Sequence, residues 1–272
     1  MAYLRAFLLV ALISILSWFN FFQPYRSGEL WQIARDWTDP RPARHILILG
    51  NSRTGFNEMP VMLRHIADSA GAPQKYEMLS LAINGSSLET LSGDARVRRA
   101  LAMRWDDAIL QGESRAQSTQ ENTESFLNYG TSLLRAVHPA NGPPKLIVNW
   151  AYDRSLYPAS GGYSSDEARA YFYNLMQRGH AKLAEKTGAH LVNVGKLWEY
   201  LHMRIPGTPL TSDGNHPTPT ASYFVALCLY ADLSGQDVAN VTWAPDSVPP
   251  DVAARVRDVV RMYRSAMTTP DL

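Results

Sequence analysis

Short apolar runs alternate along the chain with longer stretches whose apolar residues recur at helical spacing. The runs that indicate buried strands cover residues 45–49, 76–82, 108–111, 145–150 and 190–194. The stretches that favour helices cover 58–71, 87–103, 121–138, 165–188 and 218–234. Parallel strands carry near-continuous apolar runs because helices cover both faces of their sheet. We therefore expect an α/β fold, a three-layer α/β/α sandwich around a five-stranded parallel, doubly wound sheet.

The pattern changes after residue 240. A proline-rich segment, 243–250, is followed by valines at helical spacing with arginines and aspartates between them. This alternation predicts an amphipathic helix. We expect a main domain over 42–240, followed by a linker and this helix over 241–272. Packing of the helix on the domain is favoured over binding of a partner.

The first 26 residues contain a different apolar pattern. Residues 3–22 carry Arg5 near their start and are otherwise almost entirely apolar, which is typical of an export signal. Bulky aromatic residues stand where the small residues of a cleavage site would lie, and about twenty such residues can span a bilayer. We expect an uncleaved signal anchor over 1–26 that contacts the membrane through 3–22. A cleaved signal peptide and a buried helix are the alternatives, and either export route leads to the periplasm or cell envelope.

Composition and charge exclude several classes of protein. The 272 residues include 26 Lys and Arg against 25 Asp and Glu, and this net charge of +1 argues against a nucleic-acid partner. Cys228 is the single cysteine, which excludes an intramolecular disulfide framework and a cysteine-cluster metal site. The seven histidines show no metal-ligand spacing, and no glycine-rich nucleotide motif occurs. We therefore expect neither a metal nor a cofactor.

Polar residues follow the predicted strands at the edge where parallel α/β sheets form their sites. Ser52 stands in a tight turn after the first strand, where its hydroxyl would be exposed as a nucleophile. Gly85 follows the second strand, and its N–H can donate because glycine lets the backbone approach a ligand closely. Gln111 ends the third strand, and its side-chain amide can donate to a developing negative charge.

Asp213 and His216 lie three residues apart in a loop beyond the fifth strand. The carboxylate can accept from one ring nitrogen of His216, which leaves the other nitrogen free to act as a base. Residues that bring a charge or an aromatic face to the same edge are candidates for binding a substrate, namely Glu113, Trp150 and Tyr152. A serine helix cap, an Asp-Gly turn and polar loops are the alternative interpretations of these segments.

These segments, in this order, resemble the sequence blocks of the SGNH/GDSL hydrolase superfamily. Residues 50–54, Gly-Asn-Ser-Arg-Thr, are similar to the first block, Gly85 matches the glycine of the second, and 213–217, Asp-Gly-Asn-His-Pro, are similar to the last. The third block departs from the usual asparagine pattern. Gln-Gly-Glu-Ser at 111–114 is instead similar to the sialate O-acetylesterase-like branch. The resemblance covers residues 44–233.

The resemblance implies a serine esterase with a flavodoxin-like sheet. Ser52 would be the nucleophile, His216 the base and Asp213 the residue that orients the base. The N–H groups of Ser52 and Gly85, with the Gln111 amide, would form the oxyanion hole. The implied substrates are small acyl esters, above all O-acetyl groups on an extracytoplasmic glycan. A catalytically silent domain for glycan binding or envelope assembly, and an acyltransferase that uses the same acyl-enzyme, are the alternatives.

Overall fold

The computed structural model describes residues 39–113, 117–153, 156 and 165–264. Their five strands are β1 Ala43–Gly50, β2 Lys75–Ala82, β3 Asp107–Gln111, β4 Lys145–Ile147 and β5 His190–Val192. The helices before β4 are α1 Ser52–Gly55, α2 Met59–Ser69, α3 Leu88–Gly93, α4 Ala95–Leu101 and α5 Gln120–Ala136. Those after β4 are α6 Ser165–Thr187, α7 Val194–Arg204, α8 Pro219–Ser234 and α9 Pro250–Tyr263.

The strands form one sheet in the order β2-β1-β3-β4-β5, and every neighbouring pair is parallel. Ile48, for example, is opposite Ser80 of β2 on one side and Ile109 of β3 on the other. The order reverses direction at β1, so a crevice opens beyond the carboxyl ends of β1 and β3, where sheets of this kind bind ligands. The expected five-stranded parallel, doubly wound sheet is confirmed.

Each face of the sheet is covered by its own layer of helices. In β1, Ile46 and Ile48 pack into one core, whereas Leu47 and Leu49 pack into the other, because successive strand residues point to opposite faces. Buried residues of α2, α7, α8 and α9 belong to the first core. Buried residues of α3, α4, α5 and α6 belong to the second. The result is the predicted α/β/α sandwich.

Residues 87–103 form two helices rather than one continuous helix. Asp94 separates α3 from α4 with an extended backbone, and its carboxylate accepts a hydrogen bond of 2.7 Å from the N–H of Arg96. Aspartate at this position caps a new helix because its side chain satisfies an N–H of the first turn. The apolar spacing continues across the break, so the sequence pattern does not reveal it.

The amphipathic C-terminal helix α9 packs on the domain. Val256, Val259 and Val260 are fully buried in the same core as α8. The proline-rich segment before α9 also contacts α8, because Tyr223 Oη donates to the carbonyl of Trp243 over 3.1 Å. Cys228, on α8, is buried within this core.

The chain divides into two compact units, residues 1–42 and 43–272. The first unit is described only from residue 39, where Arg41 forms an ion pair with Asp39. The predicted signal anchor over 1–26, with its apolar stretch 3–22, lies outside the described residues. None of the helices within those residues has the length and apolar character needed to cross a membrane.

Candidate active site

The turn that follows β1 holds Ser52 at the carboxyl edge of the sheet. Asn51 caps the short helix α1, and its side-chain oxygen accepts from Arg53 N–H over 3.1 Å. The N–H groups of Thr54 and Gly55 both donate to the carbonyl of Asn51. Ser52 is the first helical residue, so its own N–H has no acceptor within the helix.

Ser52, His216 and Asp213 form a continuous chain of hydrogen bonds. Ser52 Oγ lies 2.9 Å from His216 Nε2, and His216 Nδ1 lies 2.7 Å from Asp213 Oδ2. Hydrogen bonds from the backbone and the ring of His216 lower the pKa of Asp213 to about 2, so the carboxylate is ionised at neutral pH. An ionised carboxylate can only accept, which places the ring proton on Nδ1 and leaves the Nε2 lone pair for the Ser52 hydroxyl.

The loop that carries Asp213 and His216 is closed on itself like a hairpin. Thr211 and Pro217 form an antiparallel bridge, and Ser212 N–H donates to the carbonyl of His216 over 2.9 Å. Asp213 Oδ1 accepts from His216 N–H over 2.7 Å, which fixes the carboxylate against its own loop. The loop therefore holds the acid and the base in register before any substrate is bound.

Phe56 and Asn57 also support the Asp-His loop, and neither was predicted from the sequence. The Phe56 ring stacks on the imidazole of His216 with centroids 4.3 Å apart and planes 10° apart. Asn57 Nδ2 donates to the carbonyl of Pro217 over 2.8 Å. Asn57 has φ +54°, a left-handed conformation that asparagine tolerates better than most residues. The one sequence feature that could have indicated this support is an asparagine soon after Ser52.

Gly85 lies in the turn that follows β2. The turn after β2 is closed by Ser86 N–H donating to the carbonyl of Ile83 over 3.1 Å, a bond that does not use the Gly85 N–H. Gly85 has φ +72°, and apart from its two chain neighbours no residue has an atom within 4 Å of the position that a Cβ would occupy. Gly85 and Ser52 both line the cleft.

Gln111 lies beneath the serine turn instead of facing the cleft. Its side-chain oxygen accepts from Asn51 N–H over 3.1 Å and from Thr54 Oγ1 over 2.9 Å, and its amide nitrogen contacts the carbonyl of Gly112. The side chain is 2% exposed. This placement corrects the expectation that the Gln111 amide faces a developing oxyanion, because both ends of that amide already bind the protein.

Trp150 is likewise buried, which corrects its assignment as a candidate for binding a substrate. Its ring stacks on Trp198 with centroids 4.3 Å apart, and its Nε1 donates to the carbonyl of Asn215 over 3.1 Å. Tyr152 does line the cleft. Trp150 therefore belongs to the support of the site, and Tyr152 to its wall.

Glu113 also lines the cleft, on the β3 side. Burial raises the pKa of its carboxyl, although hydrogen bonds from backbone N–H groups oppose the shift. One of these comes from Leu88 at the start of α3, whose N–H lies 3.1 Å from Glu113 Oε2. The neighbouring Ser114, the last residue of the third block, lies outside the described residues.

The cleft has a volume of about 510 Å³ and is lined mainly by residues with polar side chains, although carbon atoms make up most of its surface. Besides Ser52 and His216, its polar side chains include Arg53, Asn84, Glu113, Tyr152 and Asn215. Within the described part of the chain, Phe56 is the only wholly hydrocarbon side chain that lines it, and no leucine, isoleucine, valine or methionine does. In the same part of the chain, no three His, Cys, Asp or Glu side chains cluster so that they could hold a metal ion.

Comparison with known proteins relates this geometry to a known fold. No protein-family model and no curated protein matches the chain. A DUF4886 family protein from Bacteroides uniformis superposes with a TM-score of 0.64 at 15% identity, over 84% of this chain and 97% of its own. A candidate SGNH hydrolase from Slackia heliotrinireducens gives 0.53 at 25% identity, over 70% and 99%.

An enzyme of known activity has the same architecture. A catalytic variant of an acetylxylan esterase from Geobacillus stearothermophilus superposes with a TM-score of 0.51 at 13% identity, over 75% of this chain and 96% of its own. At these identities the likeness concerns the fold. The chain is therefore an α/β/α protein with the fold of the SGNH hydrolases.

Proposed function

We propose that the protein is a serine esterase that removes small acyl groups from a polar alcohol. The observation that carries the proposal is the hydrogen-bonded chain from Ser52 through His216 to Asp213, at the carboxyl edge of the sheet. A serine hydroxyl is a weak nucleophile unless an adjacent base takes its proton, and this chain supplies such a base with its orienting carboxylate.

In the proposed reaction, Ser52 Oγ attacks the acyl carbonyl carbon while His216 Nε2 takes the hydroxyl proton. Collapse of the tetrahedral intermediate breaks the ester bond, and His216 passes that proton to the departing alkoxide. Water then attacks the acyl-Ser52 ester, again giving a proton to His216. That proton returns to Ser52 Oγ as the carboxylic acid leaves. Asp213 holds the ring and stabilises the imidazolium formed in both halves.

The oxyanion of each intermediate would be held by backbone N–H groups. Ser52 and Gly85 line the cleft together, and neither N–H is used by the bonds that close its own turn. Donors of this kind are aimed before the reaction begins, and losing one typically costs about 10²–10³-fold in kcat. Gln111 has no part in this proposal, because its amide is engaged below the turn.

Most residues that line the cleft carry hydrogen-bonding side chains, which could serve a polar substrate. A long acyl chain is stabilised by apolar side chains, whereas the hydroxyls of a sugar need hydrogen-bonding partners such as Glu113, Asn84 and Tyr152. Among the proteins of this fold are esterases named for acetylxylan and acetyl-xylooligosaccharides. We propose O-acetyl groups on a glycan as the substrate class. We also propose a location outside the cytoplasm, with residues 3–22 in contact with the membrane.

Acetate release from acetylated xylooligosaccharides and from 4-nitrophenyl acetate tests the proposal. We expect turnover of both by the wild type, at least 10-fold lower kcat/KM for 4-nitrophenyl octanoate, and no turnover by Ser52→Ala. Ser92→Ala is the matched control, because Ser92 Oγ only donates to Glu89 O within α3. Glycan binding without turnover would indicate a silent domain. Acetyl transfer to an added sugar in place of hydrolysis would indicate an acyltransferase.

A further inference from the structure

Arg53 follows the proposed nucleophile directly and is almost completely buried. Its residue surface is 3% exposed, although a guanidinium stays charged at every physiological pH. Removing a charge from water is costly unless hydrogen bonds and neighbouring dipoles replace its hydration. The partners that stabilise this cation are therefore informative about what it does.

Among the contacts of the guanidinium are two directed hydrogen bonds and two aromatic rings. Nε donates to Asn215 Oδ1 over 2.9 Å, and Nη1 donates to the carbonyl of Trp150 over 2.7 Å. The guanidinium carbon lies 4.5 Å from the Trp150 ring centroid and 5.0 Å from that of Tyr152. A planar, forked cation above aromatic rings is a geometry that arginine can adopt and lysine cannot.

Asn215, the acceptor of one of these bonds, lies between the two residues of the proposed acid-base pair. Its backbone N–H donates to Asp213 Oδ1 over 3.0 Å, and its carbonyl accepts from Trp150 Nε1 over 3.1 Å. The side chain and the backbone of Asn215 are thus both fixed, the first by Arg53 and the second by Trp150. His216 is the next residue along the chain.

We propose that Arg53 is a positioning residue, which sets the Ser52–His216 distance by holding Asn215. Ser52 and His216 are 164 residues apart in sequence. Arg53, which follows Ser52, bonds to Asn215, which precedes His216, and so joins the serine turn to the Asp-His loop. A displacement of about 1 Å can cost about 10²-fold in rate, because proton transfer depends on the geometry of the hydrogen bond. The inference rests on the proposed esterase function.

A double-mutant cycle over Arg53 and Asn215 tests the coupling. We expect Arg53→Lys and Asn215→Ala each to lower kcat about 10- to 100-fold, with KM within about twofold of the wild type. The double variant should be no slower than the slower single variant, because both changes break the same connection. Multiplying effects in the double variant, or a raised KM with unchanged kcat, would overturn the inference.

Arg44→Lys is the matched control for a purely structural effect. Arg44 is also largely buried, makes a bidentate contact with Asp107 and lies 5.5 Å from the Tyr76 ring centroid, but at the amino end of β1. We expect this variant to lower the melting temperature and to leave kcat per titrated active site unchanged. If Arg53→Lys behaves in the same way, Arg53 contributes to stability alone and the inference is wrong.

Two further measurements complement the kinetic cycle, and the second of them does not depend on turnover. Millimolar guanidinium chloride should raise the kcat of Arg53→Ala at least 10-fold over its value in the same concentration of sodium chloride. The ring ¹⁵N shifts of His216 should move in Arg53→Lys and not in Arg44→Lys, because they report the contact with Ser52 directly. Unmoved shifts would overturn the inference. A wild type that hydrolyses no ester while these shifts still respond would overturn only the proposed function.

Discussion

The proton-transfer chain ends on a carboxylate that is half exposed. The Asp213 side chain is 53% exposed, whereas that of His216 is 22% exposed. Water screens the attraction of an exposed ion pair, so the charge of Asp213 contributes less here than it would in a buried triad. The main contribution left to Asp213 is to orient the ring of His216. One carboxylate oxygen receives two backbone N–H groups, from Asn215 and His216, and the other receives the imidazole ring.

Replacing Asp213 by asparagine leaves one oxygen where the carboxylate used two, one for the backbone N–H groups and one for the imidazole ring. An amide has one oxygen, and the two backbone N–H groups of the loop compete for it against the ring of His216. With the amide nitrogen turned towards Nδ1, the imidazole takes the wrong tautomer and Nε2 no longer accepts from Ser52. We expect Asp213→Asn to lower kcat by roughly 10²–10³-fold, less than the ~10⁴ known for a buried triad aspartate in a serine protease. Steady-state kinetics with 4-nitrophenyl acetate measure this, and an unchanged kcat would contradict the assignment of Asp213.

Gln111 offers a second test at the level of one side chain. Gln111→Ala removes the acceptor of the buried Asn51 N–H, which should cost about 1–3 kcal/mol of unfolding free energy, and loosens the serine turn. Gln111→Glu keeps an acceptor in that position when its buried carboxyl is protonated. We expect it to retain kcat within about 10-fold of the wild type at the same mildly acidic pH. A loss of 10²–10³-fold in Gln111→Glu at unchanged stability would instead indicate an oxyanion donor.

At the scale of elements, an ion cluster joins three of them at the amino end of the sheet. Asp232 on α8 lies 2.9 Å from Lys145 Nζ of β4 and 2.7 Å from His190 Nε2 of β5. Burial opposes ionisation of Asp232, but the hydrogen bonds and charges of His190 and Lys145 outweigh it and lower its pKa. The cluster fixes α8 against the end of the sheet, and α8 begins directly after the Asp-His loop.

The lowered pKa of Asp232 predicts an acid-dependent stability. An aspartate whose pKa is lower in the folded state stabilises the fold above its ordinary value of 3.8, and that contribution is lost as the pH falls below it. We expect Asp232→Asn to lower the unfolding free energy at pH 7 by about 3–5 kcal/mol, because Lys145 is left without its counter-charge. Below pH 4 the difference from the wild type should shrink. Urea unfolding at several pH values measures it, and a difference that stays constant from pH 7 to pH 3 would contradict the role of the cluster.

At the scale of the whole molecule, the sequence predicts the architecture well and the direction of individual side chains poorly. The apolar runs identify all five strands, although their burial differs: β1 contributes to both cores, whereas most residues of the edge strand β2 are only half-buried. The sequence also places Gln111 correctly at the end of β3, but it does not predict the direction of the side chain. That orientation depends on Gly50, where a Cβ would lie only 3.0 Å from Gln111 Oε1. The burial of Trp150 also depends on a distant residue, because its stacking partner Trp198 lies on a helix much further along the sequence.

Removing the first 26 residues should abolish membrane association and leave the esterase activity unchanged. The proposed catalytic groups belong to the unit formed by residues 43–272, whereas the apolar stretch 3–22 belongs to the other unit. We expect the full chain to sediment with membranes and a chain starting at residue 27 to remain in the supernatant, with kcat/KM within about twofold of the full chain. Ultracentrifugation followed by an esterase assay measures both. A full chain found in the supernatant would contradict the proposed membrane contact.

Covalent labelling with a fluorophosphonate tests whether Ser52 is an activated nucleophile, because only a serine activated by a base displaces fluoride from phosphorus at an appreciable rate. The reagent should add to the wild type with a stoichiometry of about one, peptide mass spectrometry should locate the adduct on Ser52, and esterase activity should disappear in parallel. Ser92→Ala should label like the wild type, and His216→Ala should label at least 10²-fold more slowly. An unlabelled wild type, or an adduct on another residue that accounts for the lost activity, would contradict the account.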